Sequence, residues 1–315
     1  MSILTIPKLA DELFLRPIVI SMNSLALSAL MSYVMSANGN IDWRPITICV
    51  TSDILAIGAD HLKDEEEKFS SDRNNAHDPR LASWFIYART FLTASAMLLG
   101  LALSQCPTST LLTTAAFIAP ALLWTTPISF EKFGLISRRL LGMFGGDMHQ
   151  SEPPTSASVL VIKRIPGMKA IFNGIIRGCG IYTVALSVLS GSGNLINTLS
   201  SPWSVVQLIV WSTVSRSCHA VMTDVRDFED DLKDGVPTIP VLLGSVLKTK
   251  VILTACHMLV MAAFIENPYI MGSCLLAVVL VWTLGKDSPK KAFLFSSHSQ
   301  SLFIIWYLTR QYLQL

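Results

Sequence analysis

The chain has 315 residues, 51% hydrophobic and only 15% charged, with mean hydropathy +0.50 and a formal net charge of +2. Soluble domains carry roughly a quarter charged residues, so this composition excludes an ordinary water-borne globule. The net charge says little about partners, and nothing in the chain resembles a nucleic-acid-binding basic stripe.

A helix that crosses a bilayer needs about 20 mostly apolar residues. In chain order, nine candidate spans lie at about 18–36, 45–60, 82–104, 110–128, 170–190, 203–223, 250–265, 269–285 and 292–312. The second and seventh are short and carry polar residues. The segment IPKLADELFLRP before the first span lacks a small-residue cleavage site, so no secretory signal is expected there. The expected fold is all-α, a polytopic bundle of about nine transmembrane helices, embedded in membrane lipid. One domain is expected over 1–315, with loops at 61–81, 129–169 and 224–249 capping one face. The six cysteines show no paired spacing and read as small core hydrophobes.

Nine spans put nineteen lysines and arginines on one side, from Lys8 and Arg16 through Lys290 and Lys291, and only Arg44 on the other. By the positive-inside rule, the capped face should be cytoplasmic. Each long loop on that side begins where an even-numbered span ends.

Two of those ends are acidic. At span 2, TSDILAIGADHLKDEEE places Asp60 and Asp64 four apart and Asp53 seven before Asp60. At span 6, TDVRDFEDDLKDG spaces Asp224, Asp227 and Asp231 as D-x-x-D-x-x-x-D. Spacings of three, four and seven share a helix face, provided that the helix continues. Acids at a helix end are ordinarily solvated, and Glu65, Glu66, Glu67, Glu229, Asp230 and Asp234 read that way. Two clusters on the same side read differently. Mg²⁺ takes oxygen ligands and is held by one or two carboxylates plus substrate phosphates. The paired clusters therefore suit a metal-bridged diphosphate, with basic groups from VIKRIPGMKA (Lys163, Arg164, Lys169) and from Arg73 and Arg80 gripping it. Arg89, Arg177 and Arg216 fall inside spans, where an ionisable group marks a functional site by default. His219 and His298 read as satisfied core histidines.

DVRDFEDDLKDGVPTIPVLLG resembles the second aspartate motif of the UbiA superfamily of membrane prenyltransferases. Asp224, Asp227, Asp231, Gly235, Thr238, Pro240 and Gly244 match in register, and KRIPGMKAIFNG is similar to the segment before the family's fifth helix, placing Lys163 and Asn173. The first motif departs from the family's N-D-x-x-D-x-x-x-D: aligning Asp60 and Asp64 leaves Ala56 and Ile57 where Asn and Asp belong. PRLASW stands where the family has R-P-L-A-x-G.

The resemblance implies a Mg²⁺-dependent enzyme acting on a prenyl diphosphate such as farnesyl diphosphate, in a membrane expected to be the endoplasmic reticulum. Asp60, Asp64, Asp227 and Asp231 would be catalytic. Metal would sit on Asp60, Asp64, Asp224, Asp227 and Asp231, with Asp53 as a further candidate. The diphosphate would meet Lys163, Arg164, Asn173, Arg177 and Arg80. The altered first motif favours the family's terpene cyclases, which need an aromatic-lined chamber but no acceptor site; transfer to an aromatic acceptor is the alternative. Trp84, Phe85, Tyr87, Trp124, Phe172, Tyr182, Trp211 and Trp306 are candidates for lining the chamber. A transporter ranks lower, because its acids would lie nearer the midplane.

Overall fold

The structure is a computed structural model describing residues 5–71, 79–122, 128–129, 159–160, 167–195 and 202–313. Helix α1 (Ile6–Ala10) runs through a π-helical turn (Asp11–Leu15) into α2 (Arg16–Met35). Then come α3 (Trp43–Ser71), α4 (Pro79–Ser104) and α5 (Thr108–Leu122). A two-residue antiparallel pairing, β1 (Ile128–Ser129) with β2 (Val159–Leu160), is a minor addition to an all-α architecture. Helix α6 (Met168–Ile175) continues through a second π segment (Ile176–Gly180) into α7 (Ile181–Gly191). The remainder is α8 (Val205–Arg226), short α9 (Phe228–Lys233) and α10 (Ile239–Leu243), then α11 (Val246–Ala263), α12 (Pro268–Thr283) and α13 (Lys290–Leu313).

Among the described residues these make nine long rods, and each candidate span falls on one of them. Four are long and apolar enough to cross a membrane by length and composition: Ile6–Met35, Pro79–Ser104, Met168–Gly191 and Val246–Ala263. Helices α3, α8 and α13 carry more polar side chains, and the first two hold the acids. Large apolar side chains such as Met97, Leu112, Leu259, Val279 and Ile305 face outward, which suits contact with lipid tails. The molecule is an integral membrane bundle.

Two boundaries differ from expectation. The stretch 61–81, read as a loop, is helical through Ser71, and 224–249 is built from α9, α10 and the start of α11. Most of 129–169 lies outside the described residues.

Local chemistry sets the helix starts. Ser204 Oγ accepts from the Gln207 N–H at 3.2 Å while Gln207 Oε1 accepts from the Ser204 N–H at 3.0 Å, a capping box for α8. Asn267 Oδ1 accepts from the N–H groups of Tyr269 and Ile270 ahead of α12.

Helix α2 is the innermost, with Ser21, Asn23, Ser24, Ser28 and Ser32 all buried alongside Leu27, Leu30 and Met31. Lipid is as apolar as leucine, so helices in a membrane associate through close packing of small residues and through hydrogen bonds. The approach of α6 to α8 is the tightest example: a Cβ at Gly174 would stand 2.7 Å from the Thr213 carbonyl oxygen. One at Gly178 would stand 2.7 Å from Thr213 N and Cα. The aromatic core, with Trp203, Trp211, Tyr269 and Tyr307 packed together, lies towards the far end of α8 from its acids.

Candidate functional site

Helix α8 ends at Arg226, so Asp224 occupies its last turn and is 3% exposed. Asp227 caps it with φ −92° and ψ 9°, and its carbonyl accepts from the N–H groups of Asp230 and Asp231 at 3.1 and 2.9 Å. The expected single helical face of Asp224, Asp227 and Asp231 is therefore broken at its middle residue: Asp231 belongs to α9. The three acids still share one neighbourhood. Lys169 Nζ, from the start of α6, meets Asp224 Oδ1 at 2.5 Å. Arg226 grips both oxygens of Asp227 at 2.6 Å, with its guanidinium 5.5 Å from the centre of the Phe293 ring. Partial burial pushes the Asp231 carboxyl above its ordinary range; Asp227 and Asp230 add to this, and Lys169 opposes it.

The turn that follows closes over this point. Val236 N–H donates to Asp231 O at 2.8 Å, and Gly235, at φ +66°, takes the left-handed conformation that the turn requires. Gly167 N–H, just before α6, donates to Pro237 O at 3.4 Å. The ends of α6 and α8 are thus held together, and Lys169 lies between them. Glu229 pairs with Lys286 at 2.9 Å, tying α9 to the α12–α13 connection.

The other half lies on α3. Asp64 is exposed, and Asp60 is partly buried. Glu65, read from sequence as solvated charge, is 3% exposed and accepts from Lys68 at 2.6 Å, while its Oε2 has no partner. Glu66 meets Arg89 at 2.8 Å near the end of the rod. Glu12 pairs with His61 Nδ1 at 3.0 Å and with Arg16 at 2.6 Å, seating the amino-terminal helix beside the Asp60 turn. Arg80 is exposed at the start of α4. Among the described residues no three His, Cys, Asp or Glu side chains stand together as a metal cage.

Deeper in the bundle is a cavity with an empty volume of about 470 Å³, counting its open mouth. Its wall is largely apolar, from Ile48, Cys49 and Ala56 of α3, Phe117, Ile118 and Ala121 of α5, and Ile176, Ile181 and Val184 of the α6–α7 rod. Asp53 and Arg177 also line it, joined at 3.2 Å and only 13% and 12% exposed. Ser24 Oγ donates to the same Asp53 oxygen at 2.5 Å. Seven residues separate Asp53 from Asp60 and eight separate Lys169 from Arg177, or roughly 10–12 Å of helix at 1.5 Å per residue. The cavity therefore lies about two turns below Asp60 on α3 and below Lys169 on the α6 rod.

Of the other expected residues, Asn173 lies part-buried on α6. Lys163, Arg164, Arg73 and Trp124 lie outside the described residues. Arg216 turns inward: Nη1 donates to the Ser297 carbonyl at 3.0 Å, and Nη2 has no partner. Buried His219 Nδ1 and His298 Nε2 also lack partners, so these histidines are not the satisfied core residues expected. None of the seven aromatic candidates among the described residues lines the cavity. Its aromatic is Phe117, which sequence reasoning passed over, and Gly180 makes room for it: a Cβ there would sit 3.0 Å from the ring.

Comparison with known proteins fits this arrangement. Residues 155–304 match the model of the UbiA prenyltransferase family. That match spans a little under half of the chain. Its fold is similar to that of a UbiA homolog from Archaeoglobus fulgidus bound to GPP and Mg²⁺, with TM-score 0.55, 13% identity, and 96% and 98% of the two chains covered. It is also similar to the apo structure of a UbiA homolog from Aeropyrum pernix K1, with TM-score 0.51, 14% identity, and 97% and 100% covered. No curated protein matches the chain by sequence. The matched UbiA stretch holds Lys169, Arg177 and the Asp224–Asp231 cluster, whereas Asp53, Asp60 and Asp64 precede it. The part of the site that departs from the UbiA pattern is the part outside the match.

Proposed function

We propose that this membrane-embedded UbiA-family protein is a Mg²⁺-dependent terpene cyclase, ionising a prenyl diphosphate, with farnesyl diphosphate the leading substrate, and closing the cation on its own double bonds. The observation that carries the reading is the depth relation: a mostly apolar cavity lies two turns below a charged rim on two facing helices. An amphiphile with a doubly phosphorylated head and a hydrocarbon tail matches that profile. The solved relative bound to GPP and Mg²⁺ supports the substrate class.

The donor chemistry at the rim suits a hard cation. Asp60, Asp64, Asp224, Asp227 and Asp231 offer only carboxylate oxygens, and Mg²⁺ needs just one or two of these beside phosphates and water. When bound, it would draw charge off the departing diphosphate. The protein's own part is to hold and orient. Lys169 lies among the carboxylates, where it can pass from Asp224 to a phosphate oxygen. Lys163, Arg164, Asn173 and Arg80 are assigned to the same head group. The cavity wall, with Phe117 as its aromatic, folds the tail and keeps water from the cation.

Transfer to an aromatic acceptor is the second reading, favoured by the family match itself. Purified protein in detergent, given Mg²⁺ and farnesyl diphosphate without acceptor, separates the two. Cyclic hydrocarbon in a hexane extract supports the cyclase. Adducts formed only on adding an aromatic acceptor support the transferase, and no metal-dependent diphosphate release under either condition defeats both.

A further inference from the structure

The proposed chamber contains one carboxylate, and its surroundings differ from those of the rim acids. Asp53 lines the cavity, and both of its close contacts, from Arg177 at 3.2 Å and from Ser24 at 2.5 Å, fall on Oδ2. Oδ1 takes part in neither. A carboxylate buried among Ile, Val and Ala needs a partner for its charge. The Arg177 guanidinium, just as buried as the acid, stands in ion-pair contact with it. The same contacts fix its position: three elements (α2, α3 and the π segment after α6) meet on one oxygen.

We propose that Asp53 is the base that ends the reaction by taking the last proton from the cyclised cation. The inference rests on the cyclase reading and deepens it. Diphosphate departs with the electron pair of its C–O bond, and the tail's π electrons form the ring C–C bond. A C–H bond next to the cationic carbon then breaks, its electron pair becomes the new C=C, and the proton passes to Asp53 Oδ1. It leaves for diphosphate or water as the product departs. A proton beside a carbocation is far more acidic than any carboxylic acid, so pairing with Arg177 does not make Asp53 too weak a base. Thr114 Oγ1, buried in the same wall without a partner, adds a dipole but no comparable proton affinity.

Asp53→Asn keeps the shape and removes the base. Three readouts apply: diphosphate release, product profile by gas chromatography, and Mn²⁺ binding by electron paramagnetic resonance. Ionisation precedes the proton transfer, so release falls by no more than about tenfold and Mn²⁺ binding persists. The wild-type hydrocarbon falls about 10²-fold or more, the usual size of general-base catalysis, with water-quenched alcohols or a differently placed double bond in its place. The same hydrocarbon at the wild-type rate overturns the assignment. So does loss of both Mn²⁺ binding and diphosphate release, which would make Asp53 a metal ligand. If Asp53→Asn does not fold, Asp53→Glu takes its place: a carboxylate moved by one methylene shifts the double bond, and an unchanged profile overturns the proposal. A wild type that makes no hydrocarbon defeats the cyclase reading itself, an outcome distinct from a variant that behaves as wild type.

Discussion

Lys169 and Asp224 join the start of α6 to the end of α8 through a 2.5 Å ion pair, in which the carboxylate is 4% exposed and the ammonium 51%. A half-exposed lysine is screened by water, so the pair contributes modestly to stability. Removing it leaves a buried acid without a cation. Lys169→Met should cost about 1–2 kcal/mol in detergent melts, and diphosphate release should fall at least about 10²-fold, a charge-assisted contact having been lost at the reacting group. Lys169→Arg should recover part of the activity. A Lys169→Met enzyme with wild-type turnover would place the head group elsewhere.

The rim acids should separate from the fold. Asp227→Ala and Asp231→Ala both lie beyond α8, and neither is buried in the apolar interior. Each variant should insert and purify normally while losing at least about 10²-fold in product formation, measured at saturating Mg²⁺. Retained product in both would make this cluster surface charge.

Phe117 is the chamber's aromatic wall, and Gly180 gives it space. Phe117→Ala should leave metal-dependent diphosphate release within about threefold and change the product mixture. A cation–π contact in a desolvated site is worth up to about 2 kcal/mol, enough to redirect a branching cation without affecting its formation. An unchanged mixture would place the cation out of reach of this ring.

Gly178→Ala tests the helix contact instead. Its Cβ would meet Thr213 backbone atoms at 2.7 Å, so α6 and α8 must separate, at a cost of about 1–3 kcal/mol. The melting temperature should fall and the affinity for diphosphate weaken, because Lys169 and Asp224 sit on those two helices. A stable variant with intact affinity would show the interface to be more accommodating than its geometry.

The Glu229–Lys286 pair ties α9 to the α12–α13 connection on the surface. Its hydrogen bond to Lys286 holds the Glu229 carboxyl below the ordinary glutamate range. Its contribution is therefore present above that range and lost as pH falls through the lowered pKa. Hydrogen exchange in α9 should quicken on acidification through that lowered pKa, or in high salt, and Lys286→Gln should remove both responses.

The sequence carried the nine rods and the acids at their ends, because apolar length and charge spacing are local properties. It read Asp53, Asp60 and Asp64 as one face but did not separate their surroundings. Partners for Asp53 come from Ser24 on α2 and Arg177 after α6, far away in sequence. Glu65 was misread for the same reason: three successive glutamates look alike until tertiary packing buries one. The break at Asp227 had no clear local signal. Two features were legible and went unread. Gly174 and Gly178 form a G-x-x-x-G pair, the usual mark of close helix approach, and Phe117 stands in the apolar run of α5.

The π segment Ile176–Gly180 has a further consequence. Its wider turns leave the residues on either side out of phase, so Lys169 before it and the cavity-lining Ile181 and Val184 after it present themselves on headings that an unbroken α-helix would not provide. Deleting a single residue there would restore regular winding and swing one group relative to the other by about 100°, the angle of one helical step. The directions of rim and chamber are thus set by one spare residue, and their relation is governed by the length of this rod rather than by the identity of any one side chain.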